Sequence, residues 1–176
     1  MRTTVPWAGL RRFVGLVAAG TALAAASACT VPVDAVAGIS VTEDGRLLGV
    51  MMVCGHRIDG ATLYVESDDV DKEVTVGMWT AARPLGAGLT TWTLDAPAAG
   101  WTVSRPLAPL DARTTYALYG WTKDNSWSSS SVSFTPGDLD RLAPGKVRYI
   151  EVSDKGDESA VTVTMAEFAA RACPDG

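Results

Sequence analysis

One stretch, residues 110 to 134, limits what this chain can fold into more than any other. Tyr116, Leu118 and Gly120 alternate with Ala117, Tyr119 and Trp121, and a period of two sends alternate side chains to opposite faces of a sheet. Val132 and Phe134 repeat the pattern on a return strand, after a polar turn over residues 123 to 126. With Tyr116 and Leu118 facing a core, Tyr119 and Trp121 are expected on the opposite face.

Short alternating segments recur upstream. Residues 39 to 42 alternate and end at Glu43-Asp44-Gly45, where Asp-Gly between apolar runs signals a tight turn. Residues 47 to 54 are almost continuously apolar, as in a central strand buried on both sides or one bulged at Gly49. A loop is expected over residues 55 to 60, then strands over 62 to 66 and 74 to 79 and a break at 83 to 88. Shorter strands over 91 to 94 and 100 to 103 precede Pro106 and Pro109, which do not fit inside a sheet. Strands of this length and spacing mark a β-sandwich.

Leu110 and Thr114 precede Tyr116 by six and two residues, a spacing that resembles the corner of fibronectin type III domains. The resemblance implies a mainly β, immunoglobulin- or fibronectin type III-like sandwich over residues 38 to 135, with the Tyr116 hydroxyl tying the entering loop to its strand. It implies nothing about activity.

Residues 136 to 176 outrun such a domain and form a C-terminal extension. Thr135-Pro136-Gly137-Asp138 supplies a capping hydroxyl, a proline for the first helical position and an acid in the first turn, so a short helix runs toward Leu142 until Pro144-Gly145 stops it. Residues 147 to 152 and 160 to 163 read as a hairpin around the polar residues 154 to 158. Thr164 and Glu167 make a capping box, and Met165, Phe168, Ala169 and Ala172 lie on one face of the helix that follows. That face must dock on the body.

The first 28 residues differ in kind. Arg2, Arg11 and Arg12 precede an uncharged apolar run from 13 to 26, shorter than the ~20 residues of a spanning helix, and Ala26-Ser27-Ala28 follows. The pattern predicts an export signal. Small residues followed at once by Cys29 resemble the bacterial lipobox, in which the thiol takes a diacylglyceryl group, although Ala26 stands where leucine is usual. Ordinary cleavage after Ala28, giving a freely secreted protein, remains the alternative. Residues 29 to 37 then form a short tether. Of three cysteines, lipidation of Cys29 leaves Cys54 and Cys173 to pair in an oxidising compartment. The whole resembles the small exported lipoproteins of high-GC Gram-positive bacteria, which implies residence on the outer face of the cytoplasmic membrane, held there by the N-terminal lipid.

Removing the three signal arginines from the 15 basic residues leaves 12 against 20 acidic ones, a net charge of −8. Such a field repels nucleic acid and anionic headgroups. His56 is the only histidine, which excludes mechanisms needing two imidazoles and most histidine-built zinc sites. A thiol hydrolase of Cys54 and His56 oriented by Asp59 is disfavoured, because neighbours in one tight loop rarely meet at hydrogen-bonding distance. The acidic runs at residues 68 to 71 and 154 to 158 lack the ligand spacing of an EF-hand and read as solvated turns. No catalytic set, metal site or cofactor motif emerges. The remaining signal is aromatic. Tyr64 and Trp79 are expected to point the same way as Tyr119 and Trp121 from neighbouring strands, giving a platform for a glycan, peptide or partner protein. The competing expectation, and the favoured one, is that the C-terminal extension covers this face and makes it a second, smaller core.

Overall fold

The computed structural model describes residues 30 to 153 and 155 to 173. The segment expected to be an export signal, and Cys29, lie outside the described residues. The protein is mainly β, with a sheet nearly closed into a barrel. Its strands are β1 (Val33–Val41), β2 (Leu47–Val53), β3 (Ile58–Val65), β4 (Val74–Leu85), β5 (Gly88–Thr93), β6 (Trp101–Arg105), β7 (Tyr116–Trp121), β8 (Ser128–Ser130), β9 (Val132–Phe134), β10 (Lys146–Val152) and β11 (Glu158–Thr164). Among the described residues there are also two short α-helices, α1 (Pro136–Leu139) and α2 (Met165–Arg171), and one 3-10 turn (Val70–Lys72). Among the described residues no helix is long and apolar enough to cross a membrane.

The path around the sheet runs β5, β2, β1, β8, β7, β3, β4, β6, and remains open between its two ends. Strands β2 and β5 flank one side of the interior, and β6, β4, β3, β7 and β9 the other. The parallel pair of β1 with β8 joins them. Tyr116, Leu118, Val132 and Phe134 point inward with Ile39, Met51, Leu63 and Trp79, as the alternation of the hairpin requires. The corner at Tyr116 is present: the backbone N–H of Asp111 donates to the phenolic oxygen at 2.8 Å.

Several boundaries move. The residues expected as a tether already form β1, with Ala35 and Ala37 buried, because that strand fills the space between β2 and β8. The expected loop before β3 ends at Ile58, and β4 continues through Pro84 to Leu85, pairing with Ile58. Gly49 carries no bulge. It stays in register with Ile39 and Trp92, and a β-carbon there would sit 2.5 Å from the Trp92 ring. The serine run after the turn marks a crossing between strands. At Ser131 the chain changes partner, β8 lying beside β1 and β9 returning to β7, and the Gly120 N–H is met by Ser129 Oγ at 2.6 Å.

The C-terminal extension builds a second core, but on the outer face of β1 and β2. Val147, Tyr149, Val163, Phe168 and Ala172 pack there against Val50, with Val36 and Met52 at the margin. Gly38 makes the approach possible, since a β-carbon would meet Val147 at 2.5 Å. Cys54 and Cys173 are joined by a disulfide that fastens the end of α2 beside the end of β2. The expected covering of Tyr119 and Trp121 therefore does not occur. The helix buries its stripe, as an amphipathic helix must, against a sheet face whose apolar residues the near-continuous run of β2 had supplied.

Candidate functional site

Two concavities stand out. The larger, about 940 Å³, lies where β10 leaves the edge of β1 and β8 takes its place, between the disulfide and the β10–β11 hairpin. Its charged groups are matched within the protein. Asp34 accepts hydrogen bonds from the backbone of Gly55 and His56 and from His56 Nδ1, the last at 2.6 Å. Burial works to raise the Asp34 carboxyl and these hydrogen bonds outweigh it, so it titrates below the ordinary 3.8. Glu151 is held by Tyr149 at 3.0 Å and Arg171 at 2.6 Å. The His56 ring stacks on Trp127 with centroids 3.6 Å apart, and Cys54 is committed to the disulfide, so the thiol is not available to the imidazole. Among the described residues no cluster of histidine, cysteine and carboxylate side chains is arranged to hold a metal.

The smaller concavity, about 400 Å³, lies on the outer face of β3, β7 and β8 and gathers Tyr64, Tyr119 and Trp121. These three arrive together because Thr62 pairs with Tyr119, Tyr64 with Ala117 and Gly60 with Trp121 across an uninterrupted antiparallel ladder. Tyr64 and Tyr119 meet edge to face, with centroids 5.7 Å apart and planes at 81°. The Trp121 indole lies over β3, where a β-carbon on Gly60 would come within 2.5 Å of it. Its N–H donates to Thr62 Oγ1 at 2.8 Å. One ring face is therefore seated on glycine backbone and fixed in rotation, while the side chain still lines the cleft.

Trp79 is not part of this group. It is fully buried, because cross-strand partners share a sheet face and Trp79 pairs with Ala61, next to the core pair of Gly77 and Leu63. Gly77 leaves space for the ring, and the indole N–H donates to the Leu94 carbonyl at 3.1 Å. The polar rim was not anticipated from sequence. Glu73, Asn125 and Ser128 line the cleft, with Trp127 beside them. Asn125 takes the left-handed conformation, φ 55°, that closes the turn between β7 and β8, a conformation asparagine tolerates.

Burial raises the Tyr64 hydroxyl, with Glu73 the largest of the charges adding to it. Burial also raises Tyr119, against a lowering hydrogen bond with Thr62, and Glu73 again adds to the rise. Both phenols thus remain neutral donors across the physiological range, and Glu73 places negative potential on the cleft. The arrangement offers flat π surface, hydroxyl and amide groups and one carboxylate. Comparison of the chain with models of protein families, with curated proteins and with solved structures found no match.

Proposed function

We propose that this is an exported, non-enzymatic envelope lipoprotein with a binding role, anchored to the outer face of the cytoplasmic membrane by a lipid on Cys29 and exposing the Tyr64, Tyr119 and Trp121 cleft to its surroundings. The carrying observation is that the C-terminal helix does not cover the cleft: it buries its apolar stripe on the outer face of β1 and β2, away from Tyr64, Tyr119 and Trp121. The sequence adds the tripartite signal ending in Ala26-Ser27-Ala28 before Cys29. The bonded Cys54 and Cys173 fit an oxidising compartment and leave Cys29 as the third cysteine. Membrane attachment comes from acyl chains, since a net charge of −8 gives the body no attraction to anionic headgroups.

In the same reading the body is an immunoglobulin- or fibronectin type III-like sandwich, its flanks drawn nearly into a barrel by β1 and β8. The parallel pairing of β1 with β8, the β1–β2–β5 grouping and the Tyr116 corner support it. Labelled fatty acid is expected to enter the wild-type protein and not Cys29→Ser, and the mass of the mature N-terminus is expected to show a modified cysteine. Label in both proteins, or an unmodified N-terminus, removes the anchor from the proposal.

A further inference from the structure

The binding reading can be carried to a ligand class. We propose that the cleft is a saccharide site, in which a neutral sugar ring stacks on the free face of Trp121 while Glu73, Asn125 and Ser128 take its hydroxyl groups. The inference rests on the binding role proposed above and deepens it.

Four observations carry it. The first is the platform: the Trp121 indole is backed by Gly60 and pinned by Thr62, so it is presented in one orientation with little side-chain entropy left to lose on binding. A pyranose has one face of C–H groups that suits a flat ring, with hydroxyls projecting around its edge. The second is the rim, where a carboxylate, an amide and a serine hydroxyl converge beside that platform. Such groups donate to and accept from adjacent hydroxyls, while the aromatic floor takes the apolar face. The third concerns the backbone. Strand β3 is paired on both sides by β4 and β7, and β7 on both sides by β3 and by β8 and β9. No strand edge is free beneath the cleft for an extended peptide to join, so a ligand here is read by side chains alone. The fourth is charge. Glu73 lies at the rim of a body carrying −8, which disfavours phosphorylated, sulfated or uronic-acid ligands and nucleotides. At about 400 Å³ the cleft falls near the lower end of the ~300–1,000 Å³ typical of small-molecule sites, room for a mono- or disaccharide unit of a longer glycan.

The test uses the mature protein labelled with 15N, whose indole N–H signals report each tryptophan separately. Chitotetraose, cellotetraose and mannotetraose serve as neutral probes, trigalacturonate as the anionic one and phosphatidylcholine vesicles as the lipid surface. Titration to about 10 mM covers a dissociation constant near 1 mM, about 4 kcal/mol of binding. At least one neutral probe is expected to shift the Trp121 indole signal while leaving that of buried Trp92 in place, and trigalacturonate is expected to bind at least tenfold more weakly. Trp121→Ala should abolish the binding. Glu73→Gln, an exposed change that leaves the ladder untouched, should weaken it severalfold. The proposal is overturned if no neutral probe moves the Trp121 signal, if trigalacturonate binds as well as the neutral probes, if only vesicles perturb the cleft, or if affinity is unchanged in Glu73→Gln and in Trp121→Ala. None of these results alters the mass of the N-terminus, so loss of the saccharide site and loss of the lipid anchor are read separately.

Discussion

The two cores of this protein are held by different means. The interior of the near-barrel is shared by strands from residue 33 to residue 134, and Trp79, Phe134, Ile39, Met51 and Leu118 within it are essentially inaccessible to water. The annex on the outer face of β1 and β2 has one hairpin and a seven-residue helix, with Tyr149 and Phe168 in edge-to-face contact as its centre. A helix that short does not persist alone in water. It relies on the capping box of Thr164 and Glu167, on Phe168 and on the disulfide. Burial carries the first region; a covalent clasp and local hydrogen bonds carry much of the second. The annex should therefore open at a lower free energy than the body, as a separate cooperative unit.

The comparison breaks most directly in the body. Trp79→Ala removes a fully buried indole and its hydrogen bond to Leu94 in a space already fitted around Gly77. A loss of about 3–5 kcal/mol in urea unfolding is expected, global in extent. A change under about 1 kcal/mol would mean that the interior relaxes around the site and is not the rigid partner of the pair.

The clasp comes next. Cys54 and Cys173 are 119 residues apart in sequence, and the chain-entropy treatment of so long a loop gives about 4–5 kcal/mol as an upper figure. Cys54→Ser with Cys173→Ser is expected to lower global stability by about 2–4 kcal/mol. Hydrogen exchange should rise more at Val161, Val163 and Phe168, where annex opening adds to it, than at Leu63 and Leu118, which follow the global change. Equal loss of protection at both sets would show a single cooperative unit instead of two.

How far these regions were legible in the sequence differs in the same way. The hairpin of β7 and β9, the Tyr116 corner, the Thr135 cap and the Thr164–Glu167 capping box are local, set by alternation or by spacings of three to five residues, and the structure has them. What the chain does not display locally is register. Tyr64, Tyr119 and Trp121 do meet, because each sits on the outward parity of its own strand. Trp79 does not join them, since its facing is fixed by pairing with Ala61, a partner in another segment. The glycines were the overlooked clue: Gly49, Gly60 and Gly77 each sit beneath an indole, and each reads in sequence as a weak point in a strand. The docking face of α2 was equally non-local, chosen by whichever sheet face was left apolar.

Acid should sharpen the contrast further. The Asp34 carboxyl joins the start of β1 to the residues after Cys54, and its folded value lies below 3.8. Asp95, hydrogen-bonded to Arg46, and Asp138, hydrogen-bonded to Thr135, are shifted the same way. For a carboxyl lowered by folding, the unfolded chain takes the proton first, so the stabilisation is present above the ordinary value and is lost as pH falls through the folded one. The decline should start near 3.8 and continue toward about 2, where Asp124 titrates. Asp34→Asn is expected to cost about 1 kcal/mol at neutral pH and to flatten that acid limb. An unchanged limb would assign the acid sensitivity to other carboxylates.

The smallest effect is the most local. Thr164 Oγ1 accepts from the Glu167 N–H at 3.1 Å, and Glu167 accepts from the Thr164 N–H at 2.8 Å, closing the first turn of α2. Thr164→Ala removes half of this reciprocal pair and should cost about 1 kcal/mol. With the disulfide intact the far end of α2 stays tethered, so the loss should register as faster exchange within α2 and the end of β11, with the urea midpoint little changed. In the Cys54→Ser, Cys173→Ser background the same substitution acts on a helix with no clasp, and its effect on annex opening should exceed its effect in the wild type. Equal effects in the two backgrounds would mean that cap and clasp stabilise the helix independently, and that packing of Phe168 alone decides when the annex opens.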